Sequence, residues 1–167
     1  AIARIAAGYA KARFFEKAVS LAISARSSKS LTEIAQLLFE AGDRTGAETT
    51  LNQALSLPYL TPNSWVEIAE VYAANGYNQE AMNIIERLDK PFPYPHSINE
   101  ESYYKSLVST FLKLKNYESA LENASKIPDL QSRVTAIAGI EDEMYKTNAV
   151  ADNNTQKILS QIGCKAK

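Results

Sequence analysis

Apolar residues in this chain fall into a pattern that recurs four times. A large residue is followed three positions later by a second large one, then at once by a smaller one, and three positions on by a third large one. The copies are Ile2/Ile5/Ala6/Tyr9, Leu31/Ile34/Ala35/Leu38, Trp65/Ile68/Ala69/Tyr72 and Tyr104/Leu107/Val108/Phe111. Positions i, i+3, i+4 and i+7 share one face of an α-helix, so each copy predicts an amphipathic helix. Nine residues after the last member of each copy stands an alanine: Ala18, Ala47, Ala81 and Ala120. Each alanine opens a second stripe: Ala18/Leu21/Ala22/Ala25, Ala47/Thr50/Leu51/Ala54, Ala81/Ile84/Ile85/Leu88 and Ala120/Asn123/Ala124/Ile127. The gap inside the unit is constant, whereas successive copies start 29, 34 and 39 residues apart. A rigid interior with variable spacing predicts antiparallel helix pairs joined by loops of different length. The expected fold is all-α, a solenoid of four to five stacked helix hairpins forming one domain over residues 1–167. Its units fall at about 1–28, 30–58, 62–90, 99–128 and 131–162.

Turn residues agree with this division. Gly42 and Gly76 sit where a left-handed residue would end the first helix of a pair. Arg13 and Lys115 hold the equivalent places, at a cost of about 1 kcal/mol each, and Asn116 is an alternative left-handed residue in the fourth unit. Ser30 to Glu33 and Ser97 to Glu100 read as capping boxes. Thr61-Pro62 reads as an N-cap followed by proline in the first turn. The alternating prolines Pro91, Pro93 and Pro95 predict an extended connection before the fourth unit. In a fifth unit Val134, Ile137 and Ala138 restart the pattern, but Glu141 stands where its last large residue belongs. A short final helix is expected around Ile158, Leu159 and Ile162, and such a polar terminal unit is what closes a helical array against water. The first unit begins without a lead-in, which suits a piece of a longer array.

Composition narrows the picture only a little. Hydrophobic content of 46% with 22% charged residues is that of a folded domain. No stretch approaches the roughly 20 apolar residues of a membrane span. A single cysteine, Cys164, excludes an internal disulfide, and a cytoplasmic location is the default. Charge is uneven: residues 1–30 carry six Lys/Arg and one acid, residues 31–90 nine acids and three bases. The basic start is read as a solvated face or as the contact to a further repeat.

The third unit resembles a tetratricopeptide repeat. Trp65, Ile68, Ala69, Tyr72, Gly76, Ala81 and Pro93 fall on that motif's large, large, small, aromatic, glycine, alanine and proline places, and the spacing from Leu31 to Trp65 is the family's own 34. The second unit matches through Leu31, Ile34, Ala35, Leu38, Gly42, Ala47 and Ala54. The first and fourth resemble degenerate members, and the fifth matches only in its first helix. Leu88 departs from the small residue favoured late in the second helix. The resemblance implies a right-handed superhelix whose first helices line a concave groove for peptides or partner helices. The pentatricopeptide family, an RNA-binding relative, has a similar plan, but the acidic central units disfavour nucleic acid.

The resemblance implies that the groove is lined by Thr32, Gln36 and Phe39 in the second unit, Asn63, Val66 and Glu70 in the third, and Lys105, Ser109, Leu112 and Lys113 in the fourth. Phe39 and Leu112 are apolar without an evident core duty and stand out as anchors. The first unit offers only Ala3, Ala7 and Ala10. The clamp with which some relatives hold a terminal carboxylate is not assembled, because Ala3, Ala7 and Glu33 occupy its places. Phe92 and Tyr94, held between prolines, form a second candidate contact. Catalysis has little to build on: His96 is the only histidine and has no nucleophile placed beside it, and no glycine-rich phosphate loop exists. No cofactor or metal is expected. The expectation is a non-enzymatic scaffold for a protein or peptide partner, with self-association through the end repeats left open. The alternatives are a pentatricopeptide-like RNA-binding module or a repeat domain within a larger enzyme or regulator.

Overall fold

The computed structural model describes residues 2–88, 99–149 and 155–160. Its elements are α1 (Ile2–Lys11), α2 (Phe15–Ser24), α3 (Ser28–Glu40), α4 (Arg44–Leu55), α5 (Pro62–Ala74), α6 (Asn78–Leu88), α7 (Glu100–Lys113), α8 (Tyr117–Ser125) and α9 (Leu130–Lys146). Residues 155–160 are also helical, and no strand occurs among the described residues. The chain divides into two compact units, Ala1–Pro93 and Tyr94–Lys167. In the first, α1 pairs with α2, α3 with α4 and α5 with α6; the pairs are joined through α2 on α3, α1 on α3 and α3 on α5. In the second, α7 pairs with α8, while α9 packs on α8 and less extensively on α7.

One backbone turn explains the constant gap. In each pair the last stripe residue of the first helix accepts a hydrogen bond from the N–H five residues on: Phe14 to Tyr9, Asp43 to Leu38, Tyr77 to Tyr72 and Asn116 to Phe111, each at 2.9 Å. The residue just before that donor is left-handed in every case: Arg13, Gly42, Gly76 and Lys115, with φ of 64°, 81°, 82° and 55°. This is the Schellman closure of a helix C-terminus. The donor residue then opens the next helix, and its carbonyl accepts from the alanine four positions on, at Ala18, Ala47, Ala81 and Ala120. Lys115, not Asn116, takes the left-handed conformation of the fourth unit. Asn116 instead caps α8, its side chain accepting from the Ser119 N–H. The same turn also joins the first two pairs, with Arg26 left-handed and the Ser27 N–H bonded to Ala22, so those copies lie close together in sequence.

The caps differ from the two boxes expected. α3 starts three residues earlier, with the Ser27 hydroxyl accepting from the Ser30 N–H, and α7 is capped by Asn99 accepting from Ser102. Ser97 lies outside the described residues. Thr61 caps α5 ahead of Pro62, as its sequence suggests. The reason is local: any Ser, Asn or Asp reaching the third N–H serves, so neighbouring candidates compete.

The alanines opening the second helices are wholly buried, as are Ala6, Ala22, Ala35, Ala54, Ala69 and Ala124. Without bulk between the backbones the paired helices approach closely, and Leu31, Ile34, Leu51, Ile68 and Leu121 fill the remaining space with almost no exposure. The ring of Trp65, only half-buried, is covered by the Arg87 guanidinium 4.6 Å from its centre. The first stripe is the exception. Ala6 is buried, but Ile2 and Ile5 are 45% and 52% exposed.

In α9 the buried face is Ile137, Ile140 and Met144, while Val134 and Glu141 are exposed, as is Ala138. The fifth copy is therefore shifted by three residues from the frame that the sequence suggests. The closing turn confirms the shift, with Asn148 left-handed at φ 51° and the Ala149 N–H bonded to Met144.

The turn makes a measurable difference between its four copies. Gly42→Ala places a side chain in the left-handed region and is expected to cost about 1 kcal/mol of unfolding free energy, with no clash, since an added Cβ meets nothing within 4 Å. Lys115→Gly is expected to gain up to about 1 kcal/mol. Urea denaturation checks both; a loss in both variants would contradict the assignment.

Candidate partner-binding groove

α7 and α9 are held together at one place by a chain of polar contacts. The Asp129 carboxylate caps α9 by accepting from the Ser132 N–H at 2.7 Å. The Ser132 hydroxyl donates to Glu101 of α7 at 2.9 Å, and Glu101 also accepts from the Lys105 ammonium at 2.6 Å. The Lys105 hydrogen bond, followed by that of Ser132, holds the Glu101 carboxyl below its ordinary value. Asp129 is lowered chiefly by the Ser132 backbone N–H. Both carboxylates are thus stabilised in the charged form that makes the bridge.

Between the same two helices lies a cleft of about 410 Å³. Lys105, Val108, Ser109 and Leu112 line it from α7; Gln131, Ser132, Thr135, Ala136 and Gly139 line it from α9. Val108 is buried and Leu112 half-buried, which gives the cleft an apolar floor. Its rim carries hydroxyls, an amide and the Lys105 ammonium. Lys113 stands beside it, donating to the Ser109 hydroxyl at 2.9 Å. Gly139 lies in the helix interior, and a Cβ there would meet nothing within 4 Å. Glycine costs about 1 kcal/mol at such a position relative to alanine, and no close packing in the molecule requires it. The space beside it is open.

Three of the four residues expected in the groove of the fourth unit, Lys105, Ser109 and Leu112, are brought together here, with Lys113 adjoining. The first compact unit is different. Thr32 is buried, its hydroxyl donating to the Ser28 carbonyl at 2.9 Å, and Val66 is wholly buried; neither offers a surface. Gln36 bonds to Glu40 and accepts from Asn75 at 3.0 Å. Phe39 stacks on Tyr77 at 5.1 Å and meets Tyr72 edge-on at 6.3 Å, so much of its ring is used internally. Asn63 and Glu70 are half-buried. Near them Glu67 is pushed up chiefly by burial, opposed by Lys29 and reinforced by Glu70 and Glu33. Phe92, Tyr94, His96, Ile162 and Cys164 lie outside the described residues.

Two sets of lining residues are not evident from the sequence pattern. The α9 wall becomes readable only with Ile137, Ile140 and Met144 as the buried stripe, which turns Gln131, Thr135 and Gly139 outward. A larger cleft of about 730 Å³ lies between α2 and α4, lined among others by Val19, Ile23, Thr49 and Gln53; its signal is Ile23, an apolar residue off the stripe. Among the described residues no group of three His, Cys, Asp or Glu side chains could hold a metal, and no helix is long and apolar enough to cross a membrane. No family model matches the chain, and no curated protein or solved structure matches it.

The bridge predicts a pH dependence. A carboxylate lowered in the folded state contributes stability above its ordinary value and loses it as pH falls through the lowered one. Glu101→Gln is therefore expected to be less stable than the parent at neutral pH, with the difference closing on acidification. Unfolding curves at neutral and acid pH check this; a difference that stays constant or widens would contradict it.

Proposed function

We propose that this chain is a non-enzymatic interaction scaffold that holds a peptide or partner helix in the cleft between α7 and α9. Its helix pairs are read as tetratricopeptide-like hairpins, each compact unit being a stretch of right-handed α-solenoid. The observation that carries the reading is the cleft itself: an apolar floor of Val108, Leu112 and Ala136, a polar rim able to satisfy a main chain, and open space at Gly139. Such a surface suits binding. Its Ser132 and Ser109 hydroxyls are engaged with Glu101 and Lys113 in contacts that join or line the helices, and no reaction is assigned to them. Over residues 31–90 acids outnumber bases nine to three, which disfavours an RNA-tracking surface on the first compact unit.

Partner capture with the parent and two variants tests the reading. Leu112→Glu places a charge on the apolar floor, and Gly139→Leu fills the open space while raising helix propensity. Each is expected to weaken capture about tenfold or more, roughly the loss of one buried anchor, with unchanged helical circular dichroism. Thr49→Glu in the α2–α4 cleft is expected to leave capture intact. Retention of every partner by both groove variants would remove this function.

A further inference from the structure

We infer that the cleft between α2 and α4 is a binding site for an elongated aliphatic di- or polyammonium molecule. It lies in the first compact unit and shares no lining residue with the α7–α9 cleft. α2 and α4 both pack on α3 and touch each other only slightly, so they stand apart over the buried Leu38 of α3. About 730 Å³ remains between them, a volume in the range of small-molecule sites. Phe15, Val19 and Ile23 give the α2 wall an apolar run, and Ile23 is 39% exposed. Opposite them Thr45, Gly46 and Thr49 are too short to fill the space.

Three observations specify the occupant. The first is charge. Glu16 and Asp43 line the cleft, and among the described residues no lysine or arginine does. The neighbouring bases are engaged elsewhere: Lys17 lies over Tyr9, and Arg44 lies over Tyr77 and bonds to Glu48. Both acids stand at helix starts, where the partial charge of each helix N-terminus, roughly +0.5, offsets only half of theirs. This end of the cleft stays negative and favours a cation. The second is Gly46. A Cβ there would collide with the Asp43 carboxylate. Glycine thus lets that carboxylate fold over the first turn of α4, on the cleft wall, with Oδ1 accepting from the Gly46 N–H at 2.9 Å. The third is Gln53, which borders the cleft at the other end of the α4 wall. Its amide oxygen is buried and has no hydrogen-bond partner. A buried acceptor without a donor is destabilising, and a ligand N–H that reaches it offsets the penalty. Gln53 lies ten positions after Asp43, about 15 Å along the helix axis. An acid pair at one end, an acceptor at the other and an apolar run between them match an aliphatic chain with an ammonium at each end.

Isothermal titration calorimetry with 1,8-diaminooctane tests this, beside n-octylammonium, 1,4-diaminobutane and n-octanol. The parent is expected to bind one molecule of 1,8-diaminooctane with a dissociation constant below about 1 mM. Each of the other compounds lacks the second ammonium, the span or the charge, and is expected to bind about tenfold more weakly. Glu16→Gln, at an exposed position, is expected to weaken 1,8-diaminooctane about threefold, the size of an exposed ion pair. Gln53→Leu is expected to abolish the preference for 1,8-diaminooctane over n-octylammonium while leaving the fold at least as stable, because it deletes an unsatisfied acceptor. Thr49→Phe fills the cleft and is expected to prevent binding with unchanged helical circular dichroism. Glu86→Gln on α6, away from the cleft lining, is expected to change nothing. No saturable binding of 1,8-diaminooctane below about 1 mM overturns the inference. So does n-octanol binding as tightly as the diamine, a diamine preference that survives Gln53→Leu, or a loss in Glu86→Gln equal to that in Glu16→Gln. Partner capture through the α7–α9 cleft is expected to be the same with and without the diamine, which keeps this site distinct from the function proposed above.

Discussion

The closing turn between paired helices is the constraint on which the rest of the structure depends. Its hydrogen bond from the fifth residue on satisfies a carbonyl that the helix end would otherwise leave unpaired, and the left-handed residue before that donor reverses the chain. The reversal sets the alanine of the second helix against the stripe of the first. Burial of that alanine lets the backbones close up, so large side chains of both stripes meet without a gap. A longer turn would rotate the second helix and put its polar side on the seam. Length is therefore conserved between copies inside the hairpin, while connections between hairpins vary.

What remains after hairpin formation is one stripe of surface on each helix, and neighbouring hairpins compete to cover it. In the first compact unit that competition leaves little over. α3 and α5 share contacts from Ser28 and Ser64, Gln36 and Asn75, and the Phe39, Tyr72 and Tyr77 rings. Arg44, lying over Tyr77 and bonded to Glu48, extends the cluster onto α4. In the second compact unit α9 leans chiefly on α8, and its link to α7 is the Glu101, Ser132 and Asp129 bridge. The space beside the bridge stays open, with short side chains on the α9 wall. The difference between a filled face and an open cleft is thus a difference in side-chain size and in which helix α9 prefers.

Much of the fold is legible in the chain. Four helix pairs, their stripes and the turn positions follow from residue spacing, because helical periodicity and the closing turn are both local. The second stripes of the second, third and fourth pairs are buried throughout, Asn123 included, whose amide donates to the Ser119 carbonyl. The site was only partly legible. Lys105, Ser109 and Leu112 could be placed on the outward face of α7 by spacing, but the opposite wall was hidden by the frame of α9. Val134, Ile137 and Ala138 imitate the stripe, and Ile140 with Met144 completes a better one three residues later. Two overlapping stripes are decided by the surface they must fit, here α8.

By itself, the sequence determined which residues form helices, where each pair reverses, and which small residues lie on the seam, since each depends on atoms within about ten positions of one another. The tertiary structure alone decided that Ile2 and Ile5 are bare while Leu31 and Ile34 are buried, that Thr32 and Val66 are closed off while Leu112 borders open space, and which way α9 turns. Those outcomes depend on what lies beside a helix in space. An apolar stripe states that it must be covered, and carries no record of which neighbour will do it.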